Sequence, residues 1–383
     1  MNPLAIYIHY PFCKAKCPYC DFNSHVRTHI DHQAFLVGYQ QELQFFANNI
    51  GTNHTITSIF FGGGTPSLMP IFLVDGILQQ IQKIWQLASD CEITLEANPT
   101  SCEAEKFAQL ASIGINRLSL GIQAINQNDL QFLGREHSVQ EAMQAISDAA
   151  RYFNNFSFDL IYARPEQTLQ SWQQELEFAL GFCSKHLSLY QLTIEKGTPF
   201  FSAFNNKKFT LPGEELSADL YQLTSDICLK NGLSAYEISN YAKDGYACKH
   251  NLAYWQGQDY IGIGAGAHSR FHQNQQRFAT ANFCQPEKWL QTVQNNSAWQ
   301  HCETIDTKSQ IEELLLTGLR LKKGVAIKQL ESIAKKDISN IFDRHSLLKL
   351  QKQQLISIDE CFIAINKTLL TNQIIYKLIN IQL

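Results

Sequence analysis

Six short apolar runs, each followed by a segment of helical spacing, restrict the fold of this 383-residue chain more than any other feature. The runs are Leu4–Tyr10, Ser58–Phe61, Glu92–Glu96, Arg117–Ile122, Phe156–Tyr162 and Leu187–Ile194. Helical patterns lie at Asp31–Asn48, Phe72–Trp85, Glu103–Ile113, Val139–Tyr152, Leu169–Cys183 and Glu214–Lys230. In the last of these, Leu216, Leu220, Leu223 and Ile227 mark one face, and Gly232 can end the helix. Strands that alternate with helices pair in parallel through right-handed crossovers. Near-continuous apolar strands are those covered on both faces. Six units fall short of the eight that close a full barrel. The expectation is an α/β fold, an open, partial (β/α)6 TIM-like barrel.

Chemistry in such barrels gathers at the C-terminal ends of the strands. Cys13 follows the first run, "GGGTP" (Gly62–Pro66) the second, and Glu96 ends the third. Gln123 ends the fourth run, Asp159 lies in the fifth, and Tyr190 and Gln191 lie in the sixth. All can face one cavity.

Composition excludes several classes. Apolar content is 45 % and the formal charge is −4, with no Lys/Arg-dense run, so no nucleic-acid partner is expected. No apolar stretch reaches the roughly 18 residues of a membrane span. The opening "MNPLAIYIHYPFC" lacks a basic n-region and a small-residue cleavage site, and the chain is read as cytoplasmic. Of eleven cysteines, Cys91, Cys102, Cys183, Cys228, Cys248, Cys284, Cys302 and Cys361 are scattered and read as free thiols of a reducing compartment.

The other three are not scattered. "YIHYPFCKAKCPYCDF" places Cys13, Cys17 and Cys20 in a C-x3-C-x2-C pattern on one tight loop. Three thiolates suit three irons of a 4Fe–4S cube and leave the fourth iron open. A small molecule with an amine and a carboxylate can chelate that corner. S-adenosyl-L-methionine (SAM) has the pair beside its sulfonium, and an electron from the cluster would release a 5′-deoxyadenosyl radical. The alternative is a Cys3His zinc site with His25, which leaves the strand-end residues unexplained.

Several segments carry a resemblance. C-x3-C-x2-C after a first strand, with Tyr19 before the third Cys, resembles the radical SAM superfamily. "IFFGGGTPS", "ITLEANP", "RLSLGIQAIN", "FLGREHS", "FDLIYARP" and "LSLYQLTIEKGT" look like the branch that contains oxygen-independent coproporphyrinogen III oxidase (HemN) and the heme chaperone HemW. The resemblance implies that Tyr7 and Tyr19 flank the cluster and SAM. It implies that Gly63, Gly64, Thr65 and Glu96 meet the SAM, and that Gln123, Arg135 and Asp159 match positions holding a second SAM in the oxidase. The oxidase carries a further Cys two residues after its third, where this chain has Phe22, and a longer segment before its first strand. Both departures count against coproporphyrinogen decarboxylation and are the usual condition of HemW.

A second signature, "HNLAYW", matches the HNxxYW motif that the resemblance links to heme. It makes His250 the expected axial ligand, with Tyr254 and Trp255 as flat faces and Cys248 as an alternative ligand. "GIGAG" (Gly262–Gly266) reads as close packing plus cavity lining. The expected division is 1–235 for the barrel core, 236–305 for an extension carrying HNxxYW, and 306–383 for a small helix-rich unit resembling the winged-helix-like HemN C-terminal domain. That last unit is expected to cover the open side of the barrel or to contact a partner. The implied function is a heme chaperone passing heme to acceptor proteins; the alternative is a radical SAM oxidoreductase acting on a tetrapyrrole. Whether SAM is consumed, which protein accepts heme, and whether a homodimer forms stay open.

Overall fold

The computed structural model describes residues 2–99, 104–182, 185–295 and 298–379, with only the backbone at 104 and 105. Cys102, Cys183 and the expected helix limits at Glu103 and Cys183 lie outside the described residues.

The six expected runs are the centre of one twelve-stranded sheet. They are β1 (Asn2–Tyr10), β2 (His54–Gly63), β3 (Gln86–Ala97), β4 (Arg117–Gln123), β5 (Phe156–Tyr162) and β6 (His186–Gln191), and they pair in parallel in chain order. In β1 and β5 consecutive residues are mostly buried, as strands packed on both faces require. The sheet does not close on itself, so the open (β/α)6 arrangement holds.

The crossovers are helical: α1 (His32–Ile50), α2 (Ile71–Ile84), α3 (Ala104–Ser112), α4 (Gln127–Phe132), α5 (Val139–Tyr152), α6 (Leu169–Leu180), α7 (Pro199–Asn205) and α8 (Glu214–Lys230). Local chemistry sets their starts. Ser138 and Glu141 form a reciprocal capping box at α5, and Thr168 and Ser171 do the same at α6. Inside, Trp172 stacks on Tyr162 at 5.2 Å between ring centres and donates its indole N–H to Thr224 Oγ1.

Sequence periodicity did not foresee how the sheet is extended. The short strands β7 (Ser234–Ala235) and β8 (Asn240–Ala242) run antiparallel beyond β6. After α9 (Lys249–Trp255), strand β9 (Tyr260–Ile263) returns to lie parallel against β1. Strands β10 (His268–Gln273), β11 (Gln276–Asn282) and β12 (Trp299–Ile305) continue antiparallel, with α10 (Pro286–Gln294) between the last two. The extension is therefore part of the same sheet and shares its core through Phe271, Trp289 and Val293.

The tail has a separate core built on Ile311, Leu314, Leu330, Ile363 and Ile375. Helices α11 (Thr307–Gly318), α12 (Ile327–Ala334), α13 (Arg344–Lys352) and α14 (Thr371–Leu378) surround strands β13 (Val325–Ala326), β14 (Ile356–Ile358) and β15 (Phe362–Ile365). Strand β15 lies in the middle of that three-stranded antiparallel sheet.

Candidate functional site

A cavity of about 850 Å³ opens at the C-terminal ends of β1–β6. Cys13, Cys17 and Cys20 line it together, all half-buried and unpaired as thiols. The loop that presents them is folded on itself, with Cys20 N donating to Cys17 O at 3.1 Å. Burial raises the Cys20 thiol. His25 is not with them: its Nε2 bonds Asn23 Oδ1 and the Cys284 carbonyl. Among the described residues no three His, Cys, Asp or Glu side chains converge as ligands of a single metal ion. A cube distributes its thiolates one per iron and needs no such convergence.

The glycine loop is held against the cysteine loop by backbone contacts. Gly64 N donates to Tyr10 O and Thr65 N to Phe12 O. A Cβ at Gly64 would lie 2.5 Å from Phe12 O, which is why the position needs glycine. Gly63 has φ +108°, in the region that favours glycine, and a Cβ there would strike the His9 ring. Thr65 Oγ1 donates to Cys13 Sγ at 3.4 Å and accepts from Asn98 Nδ2 at 3.2 Å.

Two carboxylates face the same cavity. Burial and the neighbouring Asp159 push Glu96 up to about 8. Burial raises Asp159 to about 6, against the pull of Ser188, Arg117 and Arg135. Asp159 Oδ1 is buried and has no hydrogen-bond partner among the described residues. Paired acids that resist ionising together favour a cationic ligand, which would restore their charged form. Arg135 is the internal cation: its Nη1 donates to Cys17 Sγ at 3.1 Å and its Nη2 to Gly121 O at 2.9 Å and to Asn98 Oδ1. Gln123 closes β4 with φ +72°, a strained conformation for a non-glycine residue, and lines the cavity.

The site residues fit the expected cofactors. Three thiols line the cavity with a tight glycine loop beside them, and two buried acids raised by burial face it, a setting that favours a cationic ligand. The tail completes the enclosure, since Arg320, Thr368 and Asn372 also line the cavity. That contribution was legible only as a general expectation of covering, not at residue level.

Tyr7 and the HNxxYW residues sit elsewhere. Tyr7 lines a second, smaller cavity of about 480 Å³ behind Gly63 and bonds His9 Nδ1 at 3.0 Å. His250 is in the packed interior, 1 % exposed and stacked on Phe60 at 5.0 Å. Its Nδ1 bonds Ser58 Oγ at 3.0 Å and its Nε2 bonds Tyr254 OH at 2.7 Å. With either tautomer both ring nitrogens of His250 are hydrogen-bonded in this structure. Burial, with Arg117, lowers it to about 3. Cys248 is fully buried, bonded to Glu92 Oε1 at 3.2 Å and pushed up to about 12 by burial. Tyr254 lines the smaller cavity. Trp255 lines neither cavity and sits where α9 meets α11, its carbonyl 3.2 Å from a Cβ built at Gly318. What sequence reasoning missed is Glu92, which accepts from Cys248 Sγ, Lys249 N and His250 N and so fixes the start of α9.

The sequence profile described as the Radical SAM superfamily matches residues 7–179. The chain belongs to this superfamily. A protein of Haemophilus influenzae named "Heme chaperone HemW" is 42 % identical over 276 residues, 70 % of this chain and 71 % of that one. "Radical S-adenosyl methionine domain-containing protein 1, mitochondrial" of Danio rerio is 33 % identical over 93 % of this chain and 82 % of its own length. Within the superfamily the chain falls in the HemW family. The solved structure of coproporphyrinogen III oxidase (HemN) from Escherichia coli superposes over 98 % of this chain and 90 % of its own at 22 % identity and TM-score 0.81, so the two share a fold.

Proposed function

We propose that the chain binds heme and passes it to acceptor proteins, on a radical SAM scaffold. Cys13, Cys17 and Cys20 hold one 4Fe–4S cluster, and SAM occupies the same cavity against Gly63, Gly64, Thr65 and Glu96. The observation that carries this reading is the likeness to proteins named heme chaperone HemW, which extends to 94 % of the chain for one Buchnera aphidicola relative. When bound, the cluster would be a one-electron reductant beside SAM. The chain's own part is to hold and shield. Arg135 offsets thiolate charge at Cys17, Glu96 and Asp159 receive the cationic end of SAM, and the tail excludes water.

In this reading residues 1–235 form the cofactor-holding core, 236–305 the heme-related extension and 306–383 the cover. His250 serves the extension as a buried bracket between β2 and α9. Location in the cytoplasm is part of the proposal, although the relative from Danio rerio carries a mitochondrial name.

A second reading, a radical SAM oxidoreductase acting on a tetrapyrrole, is favoured by one observation: the cavity keeps its paired carboxylates and three thiols. One experiment separates the two. The reconstituted protein is titrated with hemin and, in parallel, assayed for decarboxylation of coproporphyrinogen. Saturable heme binding without decarboxylation supports the chaperone; efficient decarboxylation overturns it.

A further inference from the structure

Two of the cavity's thiols are joined by a single run of hydrogen bonds. Arg135 Nη1 donates to Cys17 Sγ at 3.1 Å, and its Nη2 donates to Asn98 Oδ1. Asn98 Nδ2 donates to Thr65 Oγ1 at 3.2 Å, and Thr65 Oγ1 donates to Cys13 Sγ at 3.4 Å. The middle member of the run is the Asn98 carboxamide.

Donor chemistry fixes the direction of every bond in it. A guanidinium donates and cannot accept, so the oxygen end of the Asn98 amide must face Arg135. The amide's NH2 end then faces Thr65, whose oxygen accepts. A hydroxyl has a single proton, and with its oxygen already accepting from Asn98 that proton is left for Cys13 Sγ. Reversing the amide would set N–H against N–H at Arg135 and turn the Thr65 proton toward Asn98 and away from sulfur.

The backbone holds this amide in place. Asn98 directly follows β3, and its own N–H donates to Ser67 Oγ at 3.4 Å. Gly121 on β4 leaves the room, because a Cβ built there would lie 3.1 Å from Asn98 Oδ1 and 3.5 Å from Arg135 Nη2. The Gly121 carbonyl also accepts from Arg135 Nη2 at 2.9 Å, which fixes the guanidinium beside Asn98.

We propose that Asn98 is a positioning residue for the cluster: it aims a hydroxyl proton at Cys13 and a guanidinium N–H at Cys17 together, and so raises the cluster's reduction potential. The inference rests on the assignment of the 4Fe–4S cluster to Cys13, Cys17 and Cys20. Reduction adds one electron to the cluster and neither makes nor breaks a bond. Donors aimed at ligand sulfur draw charge from it and favour the form that carries the extra electron. Asn98 acts on the sulfurs through Thr65 and Arg135.

Aspartate is the most informative replacement. It keeps an acceptor for Arg135, yet its carboxylate cannot donate to Thr65. The hydroxyl proton then turns from Cys13 to the carboxylate, and the added negative charge offsets Arg135. Asn98→Asp should lower the potential more than Asn98→Ala does, although it is closer to the native residue in size.

The test uses the full chain with its reconstituted cluster and no SAM. Wild type, Asn98→Ala, Asn98→Asp and Thr65→Val are reduced stepwise with titanium(III) citrate, and the midpoint potential is read from the EPR signal of the reduced cluster. Iron and sulfide content checks loading, and melting temperature records any purely structural loss. The expected result is a shift of the one-electron equilibrium toward the oxidised cluster of about threefold in Asn98→Ala and about tenfold, or about 59 mV, in Asn98→Asp. Thr65→Val should reproduce the part that runs through Cys13. A lower melting temperature with unchanged potentials makes Asn98 a structural residue and overturns the inference, while the cluster assignment stands. If the Asn98 variants hold no cluster, Thr65→Val decides, and an unchanged potential there overturns the inference. If wild type itself takes up no cluster, the assignment beneath falls and this inference falls with it.

Discussion

Ser58 Oγ on β2 lies 3.0 Å from His250 Nδ1 on α9, across 192 residues of sequence. The contact makes His250 a tie between the barrel and the extension. Its partner at the other nitrogen is Tyr254, one turn further along the same short helix.

Stability should fall in mild acid partly through this residue. An unfolded imidazole titrates near 6.5, whereas folded His250 is lowered to about 3. Between those values the unfolded chain binds the extra proton, so stability is full above about pH 6.5 and is lost as pH falls toward 3. His250→Gln should flatten the dependence of melting temperature on pH between about 6.5 and 4.5. An unchanged slope would mean the ring is not buried neutral.

Each of Cys13→Ala, Cys17→Ala and Cys20→Ala should abolish the cluster, measured as bound iron and acid-labile sulfide after anaerobic reconstitution. Cys228→Ala should keep it, since that thiol is buried in the barrel core. A normal cluster in Cys17→Ala would sink the assignment.

Adding SAM should perturb the EPR spectrum of the reduced cluster, and Glu96→Gln should weaken the response by removing the acid that a bound ammonium would ionise. Gly64→Val should also weaken it, by driving the glycine loop off Phe12 O, since a Cβ there lies 2.5 Å from that carbonyl. Identical spectra with and without SAM in the wild type would count against the cavity's assignment.

Glu42 is a fully buried carboxyl on α1 that accepts from Gly264 N at 2.8 Å, Asn282 Nδ2 at 2.6 Å and Trp289 Nε1 at 2.9 Å. Glu42→Ala leaves three buried donors without their acceptor and should cost about 3 kcal/mol or more, seen as a lower melting temperature. A shift within error would show that water replaces the carboxylate without loss.

The centre of the fold was legible because buried parallel strands and their helices write two clear periodicities. The ends of Phe156–Tyr162, Val139–Tyr152 and Glu214–Lys230 agree with the structure to the residue. The extension was not legible as sheet: Tyr260–Ile263 is four residues long, and its partner Leu4–Tyr10 is some 250 residues away. The cysteine loop was marked by its spacing, and the glycine loop only by its place after the second strand together with the family resemblance. Glu92, Asn23 and Ser58 were marked by neither, because their roles depend on which distant groups the fold brings to them. His250 shows the same limit: its neighbours in sequence look like a ligand pocket, while its hydrogen-bond partners, Ser58 and Tyr254, are set by the fold.

The placing of β1 between β2 and β9 has a consequence for synthesis. Strand β1 emerges long before β9, so one of its hydrogen-bonding edges has no partner until residue 260 leaves the ribosome. At roughly 5–20 residues per second that delay is on the order of tens of seconds. Throughout it the nascent chain presents Ala5, Ile6 and Ile8 beside an open strand edge, the kind of surface that recruits other strands. A chain released before β9 is made would carry a cysteine loop and a glycine loop on an unfinished sheet, so its solubility in the cell should depend on general folding factors that the full-length product no longer needs.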